Sequence, residues 1–104
     1  GSLISTASTA SGTVSSASLV LTYADNIGTA TLNTDIKGYV SADNGSNWTQ
    51  VTLSAGPTFS TGIKVAVSDK VTVSNTGTQM KYKIECANQS ATKETRLDGA
   101  SLNY

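Results

Sequence analysis

The sequence predicts an all-β domain, an antiparallel β-sandwich of jelly-roll or immunoglobulin-like topology with about eight short strands. Its composition is the first reason, because 15 Ser and 16 Thr make up 31 of the 104 residues. Thr favours strands and Ser favours turns, whereas charged residues, which include several strong helix formers, reach only 13%. The second reason is period-two alternation of apolar side chains between Gly-, Asn- and Asp-rich turn signals.

The first half of the chain contains one weak strand, one firm strand and one hairpin. Residues 3–17 are small and of low complexity, and we expect a linker or, slightly favoured, an edge strand containing Leu3 and Ile4. The firm strand is residues 18–23, followed by a turn at 24–28 and a short strand near 29–32. Alternation then predicts two hairpin strands, residues 36–42 and 47–53, that are joined by a tight turn.

The second half predicts shorter strands between clear breakers. Pro57 lies between two glycines and indicates a loop over residues 54–62. We expect the following elements in order: strands 63–67 and 70–74, a turn at 75–78, strand 79–86, a turn at 87–91, and strand 93–104, which bends or bulges at Asp98-Gly99. In strand 79–86, Met80, Tyr82, Ile84 and Cys86 share one face, and Lys81, Lys83 and Glu85 share the other.

Length and charge limit the domain organisation and the partners. A chain of 104 residues has room for one domain, which we place at 18–104, and Gly1-Ser2 resembles the scar of a removed tag. Seven basic and seven acidic residues cancel, which argues against a nucleic-acid partner. No apolar run approaches the ~20 residues that span a bilayer, so we expect no membrane insertion.

The content of histidine and cysteine argues against catalysis. The chain has no histidine and a single cysteine, Cys86, so it lacks Ser-His and Cys-His pairs and an internal disulfide. We therefore predict a non-enzymatic protein with no cofactor and no metal. Cys86 falls on the apolar face, where a structural thiol is the simpler interpretation than a nucleophile.

The stretch 41–48 reads S-x-D-x-G-x-x-W and resembles the Asp-box, the sialidase-type turn found on several unrelated folds. Asp43 is expected to accept backbone N–H groups, Gly45 to adopt positive φ, and Trp48 to cover the turn that begins at Ser41. One such motif in 104 residues is too few for a propeller of several blades, which favours the sandwich.

The predicted hairpin also contains a candidate ligand platform. If residues 43–46 form its tip, Tyr39 faces Gln50 and Val40 faces Thr49. Ile36, Val40, Val51 and Leu53 then share the core side, and Lys37, Tyr39, Trp48 and Gln50 share the other. Aromatic rings beside amide and ammonium donors are typical of a glycan platform. The simpler interpretation is that Trp48 only covers its turn and Tyr39 packs on a neighbour.

Two further chemistries are weaker alternatives. Asp25, Asn26 and Asp35 carry oxygen ligands that suit calcium, but Asx residues are common in turns for backbone reasons. Glu85 and Glu94 are the residues to consider as a glycosidase couple. Glu85, however, lies in a row with Lys81 and Lys83, where an exposed row of charges is the ordinary explanation.

The chain also resembles a β-sandwich module of tail and fibre structural proteins of tailed bacteriophages. The resemblance covers roughly residues 18–104 and is carried by the segments 35–50, 80–85, 88–89 and 93–96. It implies no catalytic residues. It implies a virion appendage that contacts other virion proteins or domains of the same parent chain, assembly as a homotrimer, and adhesion to host-surface glycans.

These observations lead to one expected function and one rival. The expectation is a non-enzymatic virion module of a phage tail or fibre protein that acts structurally or in host attachment. The rival is an extracellular carbohydrate-binding module cut from a glycoside hydrolase, with Trp48 and Tyr39 as its platform. A ligand-free immunoglobulin- or fibronectin-like spacer is the third alternative.

Overall fold

A computed structural model describes residues 2–57 and 60–104 and confirms the all-β antiparallel fold. No helix in these two ranges is long and apolar enough to cross a membrane. The eight strands are β1 (Ser2–Ile4), β2 (Ser8–Ile27), β3 (Ile36–Ser41), β4 (Thr49–Val51), β5 (Leu53–Ala55), β6 (Lys64–Ser68), β7 (Val71–Cys86) and β8 (Glu94–Asn103).

The strands follow one path that almost closes on itself. Their order is β4-β3-β7-β2-β6-β5, and β4 leads into β5 through Thr52, so the sandwich approaches a barrel. The remaining two strands extend the layers, since β1 pairs with β7 and β8 pairs with β2. One layer is therefore β4-β3-β7-β1, and the other is β5-β6-β2-β8.

Two long strands connect these layers. The first part of β2 pairs with the first part of β7, and each strand then continues into a different layer. Two of the eight strands are longer than the short strands that we expected, because β2 has 20 residues and β7 has 16. The expected domain boundary after residue 17 lies within β2, and Leu3 and Ile4 lie in the edge strand β1.

The core is apolar and lies between the layers. The predicted core side of the hairpin is confirmed, since Ile36, Val40, Val51 and Leu53 are all buried. The same holds for the alternation in β7, where Met80 and Ile84 are buried. The other buried apolar residues are Ala17, Leu19, Leu21, Tyr23, Ala30, Ala42, Ala66 and Val73.

One turn signal was misread. Asn75-Thr-Gly77-Thr78 does not form a turn but lies inside β7, where the pairing with β2 is irregular. The reason is a close approach of two backbones, because a Cβ at Gly77 would overlap the carbonyl oxygen of Ala42. Glycine at this position leaves space for another strand rather than reversing the chain.

Other boundaries differ in detail. The predicted turn at 24–28 is mostly strand, since β2 continues to Ile27. The predicted bulge in the last strand is confirmed, because the pairing with β2 skips Asp98. The expectation for Gly1, and the part of the predicted 54–62 loop formed by residues 58 and 59, lie outside the described residues.

Candidate functional site

The turn between β3 and β4 is closed by hydrogen bonds from side chains of the turn itself. Ser41 Oγ donates to Asp43 Oδ1 at 2.7 Å and accepts the Gly45 N–H at 3.0 Å. Asp43 Oδ1 accepts the Asn47 N–H at 2.9 Å, and Asp43 Oδ2 accepts the Asn47 amide at 2.7 Å. These bonds satisfy backbone donors that a tight turn leaves without strand partners.

Gly45 and Trp48 complete this turn. Gly45 has φ of +82°, a conformation that glycine adopts without steric cost. A Cβ added there would lie 3.2 Å from Cζ2 of Trp48, so the indole lies close against the turn backbone. The position of Trp48 is thereby fixed on a short, hydrogen-bonded loop.

Asp43 is ionised at neutral pH. The amide of Asn47, the hydroxyl of Ser41 and the Asn47 N–H lower the pKa of Asp43 from 3.8 to about 2, in that order of size. Each of these groups donates to the carboxylate and so favours its charged form. Asp43 therefore acts as a hydrogen-bond acceptor that shapes the turn, a role different from that of a general acid.

The turn is also docked on β7. The Asn44 N–H donates to the Gln79 carbonyl at 3.0 Å, and the Gln79 N–H donates to the Ala42 carbonyl at 3.1 Å. Gly77 permits this approach, as described above. The hairpin tip is therefore held by β7 as well as by its own side chains.

The predicted hairpin register is confirmed in the paired strands. Tyr39 lies opposite Gln50 and Val40 lies opposite Thr49. Tyr39, Trp48 and Lys37 are half-buried, and Gln50 is exposed. The ammonium of Lys37 lies 3.8 Å from Oε1 of Glu85, which is its cross-strand neighbour on β7.

Lys83 contacts both aromatic residues of this hairpin. Its Nζ lies 4.5 Å from the ring centroid of Tyr39 and 5.0 Å from that of Trp48. Both distances are in the range of cation–π contacts. Sequence reasoning put Lys83 on the outer face of its strand but missed its position between the rings, because that position depends on the pairing of β3 with β7.

We call the outer surface of β4, β3 and β7 the lysine–aromatic face. It consists of the four predicted platform residues and two lysines from β7: Lys37, Tyr39, Trp48, Gln50, Lys81 and Lys83. Lys81 lies opposite Ser41 in the pairing of β3 with β7, beside the Asp43 turn. The arrangement offers rings, ammonium groups and an amide on one side of the domain.

The acidic and amide residues considered for calcium have protein partners instead. Asp25 pairs with Lys64 and accepts the Ala30 N–H at 2.8 Å. Asn26 donates to Glu94 at 2.9 Å. Within residues 2–57 and 60–104, no group of three or more His, Cys, Asp or Glu side chains is arranged to hold a metal ion.

Asp35 forms a buried polar centre. Only 1% of its surface is exposed, and its carboxylate accepts the Lys93 ammonium at 2.9 Å, the Asn88 amide at 2.8 Å and the Thr31 N–H at 2.8 Å. These donors lower its pKa from 3.8 to about 2, with the bond from Lys93 as the largest cause. The centre joins the β2–β3 and β7–β8 connections.

The residues considered for catalysis are separated. Glu85 lies on β7 beside Lys37, whereas Glu94 begins β8 and accepts the Asn26 amide. Cys86 is half-buried at the end of β7, and this burial raises the pKa of its thiol. A raised pKa disfavours the thiolate that nucleophilic chemistry requires.

No protein-family model, curated protein or solved structure matches this chain. Function is therefore inferred from the geometry of the lysine–aromatic face and of the Asp43 turn.

Proposed function

We propose that this domain is a non-enzymatic module of a phage tail or fibre protein that attaches the virion to host-surface glycan. The observation that carries the binding part is the pair of rings, Tyr39 and Trp48, beside Lys83 on the lysine–aromatic face. Sugar C–H groups stack on aromatic rings, and ammonium and amide groups hydrogen-bond sugar hydroxyls.

The backbone that holds the two rings is well ordered, and this order favours binding. Tyr39 lies on β3, which is paired on both sides by β4 and β7. Trp48 follows a turn whose side-chain bonds fix its backbone. Rings that are already ordered lose little conformational entropy when a ligand binds, so more of the contact energy appears as affinity.

The partners and pKa values of the acidic side chains support a non-enzymatic role. Asp35 and Asp43 both have low pKa values and serve as acceptors within the fold. Glu85 faces Lys37, and Asp25 faces Lys64. General acid catalysis near neutral pH calls for a carboxyl group of raised pKa, which is the opposite of the shift at Asp35 and Asp43.

The rival function uses the same surface. A carbohydrate-binding module of a glycoside hydrolase would also present Tyr39 and Trp48 to a sugar chain. The parent protein distinguishes the two, because neighbouring tail domains support the first function and a catalytic domain supports the second. Both require the lysine–aromatic face to bind glycan.

A glycan array followed by titration tests the proposal. We expect the wild type to bind at least one glycan and Tyr39→Ala to weaken that binding roughly tenfold, on the scale of aromatic contacts. Tyr104→Ala is the matched control, because Tyr104 is 47% exposed and lies beyond the end of β8. Melting curves of each variant separate lost binding from lost folding.

Two results would contradict the binding proposal. Glycan binding that survives both Tyr39→Ala and Trp48→Ala would assign the site to another surface. A broad array without a hit would leave a purely structural module as the better function.

A further inference from the structure

We infer that the lysine–aromatic face selects acidic sugars, those that carry a carboxylate, over neutral ones. This inference rests on the proposed glycan binding and names its ligand class. Two observations support it: the ammonium of Lys83 lies near the rings of both Tyr39 and Trp48, and lysines are in local excess on this face.

The charge of the face differs from that of the chain. The chain as a whole has a net charge of zero, yet Lys37, Lys81 and Lys83 all project from the lysine–aromatic face. Of these three, Lys37 is paired with Glu85. Among the described residues, neither Lys81 nor Lys83 forms an ion pair with a carboxylate.

Asp43, the acidic residue of the hairpin, forms no ion pair with Lys81 or Lys83 among the described residues. Asp43 is ionised, but its two oxygens already accept bonds from Ser41 and Asn47. Lys81 lies beside this turn, with its Cδ 3.5 Å from the point where a Cβ of Gly45 would lie. The ammonium groups of Lys81 and Lys83 therefore remain available to a ligand.

Lys83 is suited to a carboxylate next to a sugar ring. Its ammonium lies over the rings of Tyr39 and Trp48, so a sugar that contacts these rings also meets the ammonium. A sugar hydroxyl accepts a hydrogen bond from this ammonium, whereas a carboxylate accepts the same bond and adds the attraction between opposite charges. The position of Lys83 therefore favours a charged sugar.

Binding of matched sugars tests the inference. The probes are tri-galacturonate and sialyllactose, each beside its own methyl ester, which keeps the sugar rings and removes the charge. We expect at least one acid to bind roughly tenfold more tightly than its ester, the scale of one charge-assisted bond. Lys83→Gln should remove this preference and retain the weaker binding of the ester.

The controls separate a specific contact from general attraction. Lys70→Gln is the matched variant, since Lys70 is exposed between β6 and β7 and lies outside the lysine–aromatic face. It should retain the preference. Lys81→Gln should lose part of the preference for the acid over its ester. This variant provides the test if Lys83→Gln does not fold.

The outcomes distinguish this inference from the proposed function. Equal binding of acid and ester, with binding lost in Tyr39→Ala, would overturn acid selection and keep glycan binding. No binding of either form, together with an empty array, would overturn both. Equal binding of a single-stranded oligonucleotide, or a preference that Lys70→Gln reduces as much as Lys83→Gln, would overturn acid selection in favour of general attraction for polyanions.

Discussion

Asp35 and Asp43 perform the same chemical task in two different ways. Both accept several hydrogen bonds, and both have a pKa of about 2. Ser41 and Asn47, the partners that lower the pKa of Asp43 most, lie within four residues of it, and Asn75 adds a weaker bond, whereas Asn88 and Lys93 lie 53 and 58 residues from Asp35. One aspartate shapes a single turn, and the other joins connections that are distant in sequence.

The two aspartates also differ in burial, and this difference affects how much each contributes to the stability of the fold. Asp35 is almost completely enclosed, while Asp43 is half-buried at the hairpin tip. Removing the enclosed carboxylate of Asp35 takes away three hydrogen bonds, one of them from the ammonium of Lys93. Removing a half-buried one lets water replace part of the lost bonding. The Asp35 centre should therefore contribute to global stability, and the Asp43 turn to the local geometry of the lysine–aromatic face.

The largest expected effect is that of Asp35→Ala. We expect this change to lower the Tm by roughly 15 °C, because Lys93, Asn88 and the Thr31 N–H all lose their acceptor. Thermal unfolding followed by circular dichroism measures it. Asp69→Ala is the matched control, since Asp69 is exposed in the β6–β7 link and should change the Tm little.

The Asp43→Ala variant provides the comparison for Asp35→Ala. It should lower the Tm by roughly 5 °C, since its bonds are local and partly open to solvent. A loss equal to that of Asp35→Ala would mean that the turn contributes to global stability as much as the buried centre does.

The second largest effect of a single substitution concerns the long-range contact that the Asp43 turn makes with β7. Gly77→Ala introduces a Cβ against the Ala42 carbonyl, and we expect a cost of about 2 kcal/mol, or roughly 10 °C in Tm. Gly12→Ala is the control, because nothing lies within 4 Å of a Cβ at that position. A Gly77→Ala variant as stable as Gly12→Ala would show that the two backbones are not in close contact.

The same contrast explains what the sequence could predict. The hairpin register, with Tyr39 opposite Gln50, follows from local alternation and a tight turn, and it was correct. The bonds of Asp43 with Ser41 and Asn47 also lie within a short motif. The partners of Asp35 and the position of Lys83 depend on which strands become neighbours, and local patterns do not contain that information. Asn75-Thr-Gly77-Thr78 was misread for this reason, because its glycine serves a contact with Ala42 and not a turn.

The last effect is the pH dependence that the two aspartates share. Each has a folded-state pKa of about 2 against an ordinary value of 3.8. A lowered folded-state pKa means that the unfolded chain binds more protons in this range, so stability rises with pH. The contribution of both groups is therefore complete above about pH 4 and is lost as the pH falls towards 2.

Urea unfolding between pH 5 and pH 2 measures this dependence. The urea midpoint of the wild type should fall across that range, and Asp35→Asn and Asp43→Asn should each make the fall shallower because each removes one titrating group. The double variant should show the shallowest profile, and Asp69→Asn provides the exposed control. If only Asp35→Asn changes the profile, the Asp43 bonds do not hold its carboxylate in the charged form, and the two regions differ in chemistry as well as in burial. Profiles that are unchanged in both single variants would contradict the low pKa of both groups.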